Sequence, residues 1–265
     1  MIKMSEKYIF FDLDNTLHSF SAVYKQATAE AFREINSKYP ALSHNAIASA
    51  YKKIQQAAET HAFVERKTSR QYRSERFSTL LQHFGIKDPA LVKHAVSVYG
   101  ATIEKNMKPN RGVHEMLGRL REKNVLCLVS EGPSDAQRKA LKILGLEPFF
   151  SHIFISSEAG KVKQDGGLFR HALKQLGCLP NQVIHVGDSI RDILGASKAG
   201  IKVIWVNPKR ARLQKNSPAP SAQVRTVQAI EKIIARKTSR PVLQRIPKKK
   251  VQKKPKIRPL IRKPK

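Results

Sequence analysis

From Pro109 to Val206 the chain keeps a rhythm of helix and strand, and that rhythm restricts the fold more than any other feature of the sequence. Residues 113–123 have the apolar spacing of an amphipathic helix, 125–129 (VLCLV) read as a buried strand, and 135–144 as a helix closed by Gly145. Further strands are predicted over 152–155, 183–186 and 203–206, with helices over 167–176 and 192–199 that stop at Gly177 and Gly200. Glycine directly after a helix takes the left-handed conformation that ends it. Elements of this length in alternation predict an α/β fold, a Rossmann-like parallel sheet with helices on both faces. Its functional site belongs at the carboxyl ends of the strands. Residues 208–222 hold three prolines and read as loop, ahead of a closing helix over 227–236.

One more strand lies far upstream. Tyr8, Ile9, Phe10 and Phe11 form an apolar run suited to burial on both faces. Over 19–105 the period changes to that of helices, with Val23, Ala27 and Ala31, then Ile47, Tyr51 and Ile54, then Phe77, Leu80 and Leu81, then Leu91, Ala95 and Val98. Tyr39-Pro40 and Asp88-Pro89 interrupt it, and Asp88-Pro89 suits a helix start. Four or five helices with no strand among them predict an all-helical cap inserted after the first strand. The expected division is a core of 1–18 and 106–236, a cap of 19–105, and a disordered basic tail of 237–265.

The upstream strand stops at Asp12-Leu13-Asp14. Two ionised carboxylates this close repel, and a hard, oxygen-seeking cation such as Mg²⁺ relieves them. By their positions at strand ends, Ser130, Lys163, Asp188 and Asp192 converge on the same edge. There is no GxSxG elbow, no Walker-type phosphate loop and no HExxH pair, so serine-hydrolase, P-loop and zincin chemistries lack their motifs.

With FDLDNTL at 11–17, LVSEG at 128–132, GKVKQDGGLF at 160–169 and HVGDSIRDILGASKAGI at 185–201, the sequence resembles the haloacid dehalogenase superfamily, in particular its phosphatase-type members with a helical cap after the first strand. The resemblance spans nearly all of residues 8–236. It implies that Asp12 attacks phosphorus and forms an aspartyl-phosphate, and that Asp14 protonates the leaving group and then activates water. It implies that Ser130 and Lys163 hold the phosphoryl oxygens, and that Asp12, the Asp14 backbone carbonyl and Asp188 bind Mg²⁺, with Asp192 in support. Glu131 and Gly132, and His18 at the hinge into the cap, complete the expected substrate contacts. Members that cleave carbon–halogen bonds lack a carboxylate two residues after the nucleophile, so Asp14 favours phosphate esters. Two positions depart from the family pattern: Glu131 stands where asparagine is usual, bringing negative charge toward the phosphate site, and Gln164 stands where proline is usual, leaving the Lys163 loop less constrained.

Charge adds a second theme. Fifty Lys and Arg against 20 Asp and Glu give a net charge of +30, and residues 236–265 carry 14 of the cations with no acidic residue. A basic tail of this kind is expected to bind RNA or another polyanion by counterion release. Arg66, Lys67, Arg70, Arg73 and Arg76 gather more positive charge in the cap, either as a solvated helix face or as a lure for an anionic substrate. Two cysteines without ligand spacing suit a reducing compartment, and no apolar leader or long apolar run is present, so a soluble cytoplasmic protein is expected. The expectation is Mg²⁺-dependent hydrolysis of a small phosphate monoester, a nucleotide or sugar phosphate, by a phosphatase or nucleotidase. The alternatives are a phosphomutase of the same superfamily and a nucleic-acid-associated protein with a catalytically weak domain.

Overall fold

Short apolar runs become strands whose side chains alternate, so one sheet feeds two cores. The computed structural model describes residues 7–58 and 67–238. Its strands are β1 (Lys7–Phe11), β2 (Asn124–Ser130), β3 (His152–Ile155), β4 (Val183–Gly187), β5 (Lys202–Val206) and β6 (Ala222–Val224). All pair in parallel in the order β3-β2-β1-β4-β5-β6. In β1, Ile9 and Phe11 join one core with Leu126 and Leu128, while Phe10 joins the other with Cys127 and Val129, as the two-residue period requires.

Among the described residues four α-helices separate β1 from the rest of the sheet: α1 (Phe20–Lys38), α2 (His44–Ala58), α3 (Ser69–His83) and α4 (Pro89–Asn106). Phe32, Tyr51, Phe77, Leu80 and Tyr99 are buried among them. The Asp88 side chain accepts from Leu91 N at 3.0 Å and so caps α4, with Pro89 supplying a first-turn residue that needs no hydrogen bond. Thr68 and Gln71 close a reciprocal capping box at the start of α3. The chain leaves the core and returns to it at one place. Asn110 N donates to Leu17 O at 2.8 Å, Asn110 Nδ2 donates to Thr16 O at 3.1 Å, and Ser19 Oγ donates to Asn110 Oδ1 at 2.9 Å.

The remaining helices are α5 (Val113–Arg121), α6 (Ser134–Ile143), the single turn α7 (Ser156–Ala159), α8 (Gly167–Leu176), α9 (Ile190–Lys198) and α10 (Gln228–Thr238). Residues of α5, α6 and α10, Leu117, Leu141 and Ile230 among them, cover one face, and Phe169 of α8 with Ile193 of α9 cover the other. The chain runs outward from β1 to β3, then crosses back to β4, and this reversal opens a crevice beyond the carboxyl ends of β1 and β4. Among the described residues no helix is long and apolar enough to cross a membrane.

One strand escapes the sequence reading. β6 falls at the end of a stretch expected to be loop, and of its three residues only Val224 is buried, too little for any period to register. Edge pairing with β5 is what makes it a strand. Of the tail expected to be disordered over 237–265, residues 237 and 238 belong instead to α10; the rest of it, the polyanion partner expected of it, and Arg66 lie outside the described residues.

Candidate active site

The ladder of β1 continues one residue past the strand, because Asp12 N donates to Val186 O at 2.9 Å. Leu13 is fully buried, so Asp12 and Asp14 emerge on the opposite side and both line one cavity. Asn15 then turns the backbone with φ of 61°, a left-handed value that asparagine accepts more readily than most residues. Its side chain accepts from Ser21 N at 2.7 Å and fixes the start of α1.

Lys163 reaches the floor of the cavity from the loop before α8 and is almost fully buried. Its Nζ donates to Asp12 Oδ1 at 2.5 Å and to Asp192 Oδ1 at 2.7 Å. Burial alone would strip its proton, but Asp12 and Asp192 outweigh burial and hold the ammonium above the usual lysine range. Asp192 answers in the opposite sense: burial opposes ionisation, yet Lys163 and His185 keep its carboxyl below the usual range. His185 Nε2 lies 2.8 Å from Asp192 Oδ1, and Ser189 N and Oγ donate to Asp192 Oδ2 at 3.0 and 2.6 Å. Two glycines permit this approach. A Cβ on Gly195 would sit 1.8 Å from the Lys163 carbonyl oxygen, and one on Gly187 would sit 2.4 Å from Asp192 Cγ.

Glu131 has a use that its charge did not suggest. Its Oε1 accepts from Lys163 N at 2.8 Å and its Oε2 from Arg191 Nη1 at 3.3 Å, so it ties down the loop that Gln164 leaves less constrained. Glu131→Ala should therefore lower stability by about 1–3 kcal/mol, the cost of a lost hydrogen bond to a charged group, and Glu131→Gln, which keeps the Oε1 acceptor, by less. Urea denaturation of the two variants checks the order. Equal losses would mean that the Lys163 backbone contact contributes nothing.

Asp14 is held from two sides. Its Oδ1 lies 2.7 Å from His18 Nε2, and its Oδ2 accepts from Gln137 Nε2 at 3.1 Å. Gln137 in turn accepts from Ser130 Oγ at 2.7 Å. His18, expected to touch substrate, is instead fully buried beneath Asp14, because the turn at Asn15 folds it under the loop. The sequence alone assigns Thr16 and Gln137 no role and reads His185 as part of a strand, where it lies in β4. Gln137 left a signal, as a polar residue on the buried stripe of α6 with Ala140 and Leu141. Thr16 Oγ1, inside the quoted motif, donates to Asp12 Oδ2 at 3.1 Å.

Asp12, Asp188 and Asp192 each place a carboxylate oxygen within 4.8 Å of the others. Asp192 is fully engaged by Lys163, His185 and Ser189, whereas no side chain among the described residues donates to the Asp188 carboxylate; Trp205 Nε1 donates to its backbone carbonyl at 2.8 Å. Burial first, then Asp192, push the Asp188 carboxyl up to about 7, and burial raises that of Asp12 against the pull of Lys163. Two carboxylates this reluctant to ionise, facing each other with all-oxygen donors, fit a hard divalent cation such as Mg²⁺.

The cavity above them measures about 1240 Å³ and has Asp12, Asp14, Glu131, Lys163 and Asp188 in its floor. Its walls come from α1, α2, α3, α4 and α6. Arg70, Arg73 and Arg76 of α3 line it, whereas Lys67 pairs with Glu75 at 3.1 Å.

Known proteins resemble this chain in sequence and in fold. The family model of the haloacid dehalogenase-like hydrolases matches residues 6–200. The glyceraldehyde 3-phosphate phosphatase of Methanopyrus kandleri is 30% identical over 217 residues, covering 80% of this chain and 88% of its own. The pyrimidine 5′-nucleotidase PynA of Streptococcus pneumoniae is 28% identical over 209 residues, covering 77% and 85%. A crystal structure of YfnB from Bacillus subtilis bound to magnesium superposes with a TM-score of 0.68 at 24% identity, over 87% of this chain and 99% of that one, and shares the fold.

Proposed function

Because the chain belongs to the haloacid dehalogenase-like hydrolases, we propose that it hydrolyses a small phosphate monoester, a nucleotide or sugar phosphate, with Asp12 as nucleophile and Asp14 as acid and base. An Asp12 oxygen forms a bond to phosphorus while the ester P–O bond breaks, and Asp14 gives its proton to the departing alkoxide. Asp14, now a carboxylate, takes a proton from the water that attacks the aspartyl-phosphate, releasing inorganic phosphate and restoring Asp12. Lys163 neutralises phosphoryl oxygens, and Ser130, whose one hydroxyl proton goes to Gln137 at 2.7 Å, must turn it away from Gln137 to donate to one of them. Asp12, Asp188 and the Asp14 backbone carbonyl would hold Mg²⁺, which when bound supplies positive charge to the same oxygens. The helices α1–α4 act as a lid that excludes bulk water.

The observation that carries this reading is the division of labour between the two carboxylates: Asp12 meets Lys163 at 2.5 Å, and Asp14, two residues on, is aimed by His18 and Gln137. The named activities of the two relatives support phosphate esters as the substrate class. The purified chain with Mg²⁺ should release phosphate from at least one sugar phosphate or nucleoside monophosphate and from p-nitrophenyl phosphate. Release no faster than from Asp12→Asn on every ester would sink the proposal. Asp14→Asn should slow alkyl esters far more than the aryl ester, by about 10²–10⁴-fold against a few-fold, because a phenolate leaves without much protonation. Equal losses would remove Asp14 as the acid.

A cation that binds only the folded site must also stabilise it. Mg²⁺ at about 100 times its dissociation constant adds about 2.7 kcal/mol, or roughly 5–10 °C in Tm for a chain of this size. Calorimetry at rising Mg²⁺ should show that gain, and Asp188→Ala should reduce it. A Tm indifferent to millimolar Mg²⁺ counts against this site.

A further inference from the structure

Helix α3 carries Arg70, Arg73 and Arg76 at intervals of three, a spacing that keeps side chains on one face, while Phe77, Leu80 and Leu81 of the same helix are buried. Arg73 and Arg76 are half-buried rather than solvated. The Arg73 guanidinium lies 5.0 Å from the centre of the Tyr99 ring, and a Cβ on Gly100 would come within 3.4 Å of Arg73 Nη1. It therefore occupies a slot formed by α4. Arg76 turns its Nε back to Tyr72 O at 3.3 Å, which aligns the side chain and leaves its terminal nitrogens for other work. Among the described residues neither arginine has an acidic partner.

This is an unusual balance for the wall of an acidic site. Half-buried guanidiniums without a counter-ion lose hydration and receive no pairing energy in return. The anions on the cavity floor do not supply it, since Asp12 is taken by Lys163, Asp14 by His18 and Gln137, and Glu131 by Lys163 and Arg191. The scissile phosphate is not the missing anion either, because Lys163 and the cation site already face it. A cleft of about 1240 Å³ exceeds the roughly 300–1,000 Å³ of ordinary small-molecule sites, so the leaving group has room to extend from the floor to α3. Along that path it passes Tyr24 and Tyr99.

We infer that the substrate is an organic phosphate monoester whose leaving group bears a second anionic group, a carboxylate or a second phosphate, which Arg73 and Arg76 bind. The inference rests on the phosphatase reading above and adds the substrate class to it. A guanidinium presents paired N–H donors that match either oxyanion.

The test uses the full chain with Mg²⁺ and two probe series. The first is the phosphate esters of ω-hydroxy acids with two to eight carbons, each beside its carboxylate methyl ester. The second is the bisphosphates of the matching α,ω-diols beside the monophosphates. At the length that spans the cleft, the doubly anionic probe should have kcat/KM about 10- to 100-fold above its neutral mate, the worth of a charge-assisted hydrogen bond. Which series shows it separates carboxylate from phosphate. In the variant carrying Arg73→Gln and Arg76→Gln that ratio should fall to about one, and Arg73→Lys should keep part of it. Ratios below about threefold at every length in the unmodified chain, with the neutral mates still hydrolysed, would overturn the inference and leave the phosphatase reading standing. A ratio that survives the double substitution overturns the assignment to these arginines. Absence of Asp12-dependent hydrolysis of every probe defeats both.

Discussion

Asp12→Asn should abolish turnover, by about 10⁴-fold or more, as the loss of a nucleophile does in enzymes whose groups act as a unit. The fold should survive it. The amide is nearly isosteric, and both of its ends find partners already in place: its oxygen can accept from Lys163 Nζ, where Oδ1 now does at 2.5 Å, and its nitrogen can donate to Thr16 Oγ1, which stands 3.1 Å from Oδ2. What the amide lacks is a lone pair able to attack phosphorus usefully. Steady-state hydrolysis and a thermal melt on the same sample decide the matter. Activity within tenfold of the original would remove Asp12 from the role, and a collapsed melt would make the loss structural.

Lys163→Met should be the most destabilising single change in the site. Methionine keeps the length of the stem and deletes a cation that faces two buried carboxylates, Asp12 and Asp192. Removing one partner of a buried pair costs about 3–5 kcal/mol, roughly 6–20 °C in Tm for a chain of this size. Loss of charge on the phosphoryl oxygens should cost a further 10²–10³-fold in rate. The pH dependence has a definite sign. The depressed carboxyl of Asp192 contributes stability that is present above the unfolded value of about 3.9 and is lost as pH falls through its lower folded value. In the variant that contribution is smaller, and Asp12, already raised by burial, takes up a proton more readily still. The gap in Tm between the two proteins should therefore narrow as pH is lowered toward 4, because without Lys163 both Asp12 and Asp188 hold a proton more firmly in the folded variant. A gap that widens in acid would contradict the pairing.

Much of the scaffold is legible in the sequence because its cause is local. Val125 to Val129 and Val183 to Val186 are apolar enough to be strands wherever they land, and Gly145, Gly177 and Gly200 mark helix ends by a conformation that other residues enter at a cost. The carboxylates at strand ends are legible for a related reason, since a parallel sheet delivers the residue after each strand to one edge. What the sequence conceals is who holds them. Gln137 meets Asp14 across 123 positions, and Lys163 meets Asp12 across 151. Such contacts depend on how closely α6 and the Lys163 loop approach β1. His18 was misplaced because one left-handed residue, Asn15, decides whether the chain runs toward the cavity or beneath it. Glu131 read as a liability because only the folded loop shows which backbone group its carboxylate receives.

The four-helix block between Ser19 and Pro109 leaves and rejoins the sheet at a single hydrogen-bonded crossing, where Asn110 binds both Leu17 O and Thr16 O. Were the block removed, the severed ends would already be neighbours, and a bridge of a few residues would close the gap at little entropic cost. A block of another size could be spliced into the same crossing on the same terms. For descent and for engineering alike, the charged floor of the cavity and its helical walls can be inherited separately, since Asp12, Lys163 and Asp192 keep their partners entirely within the part that remains.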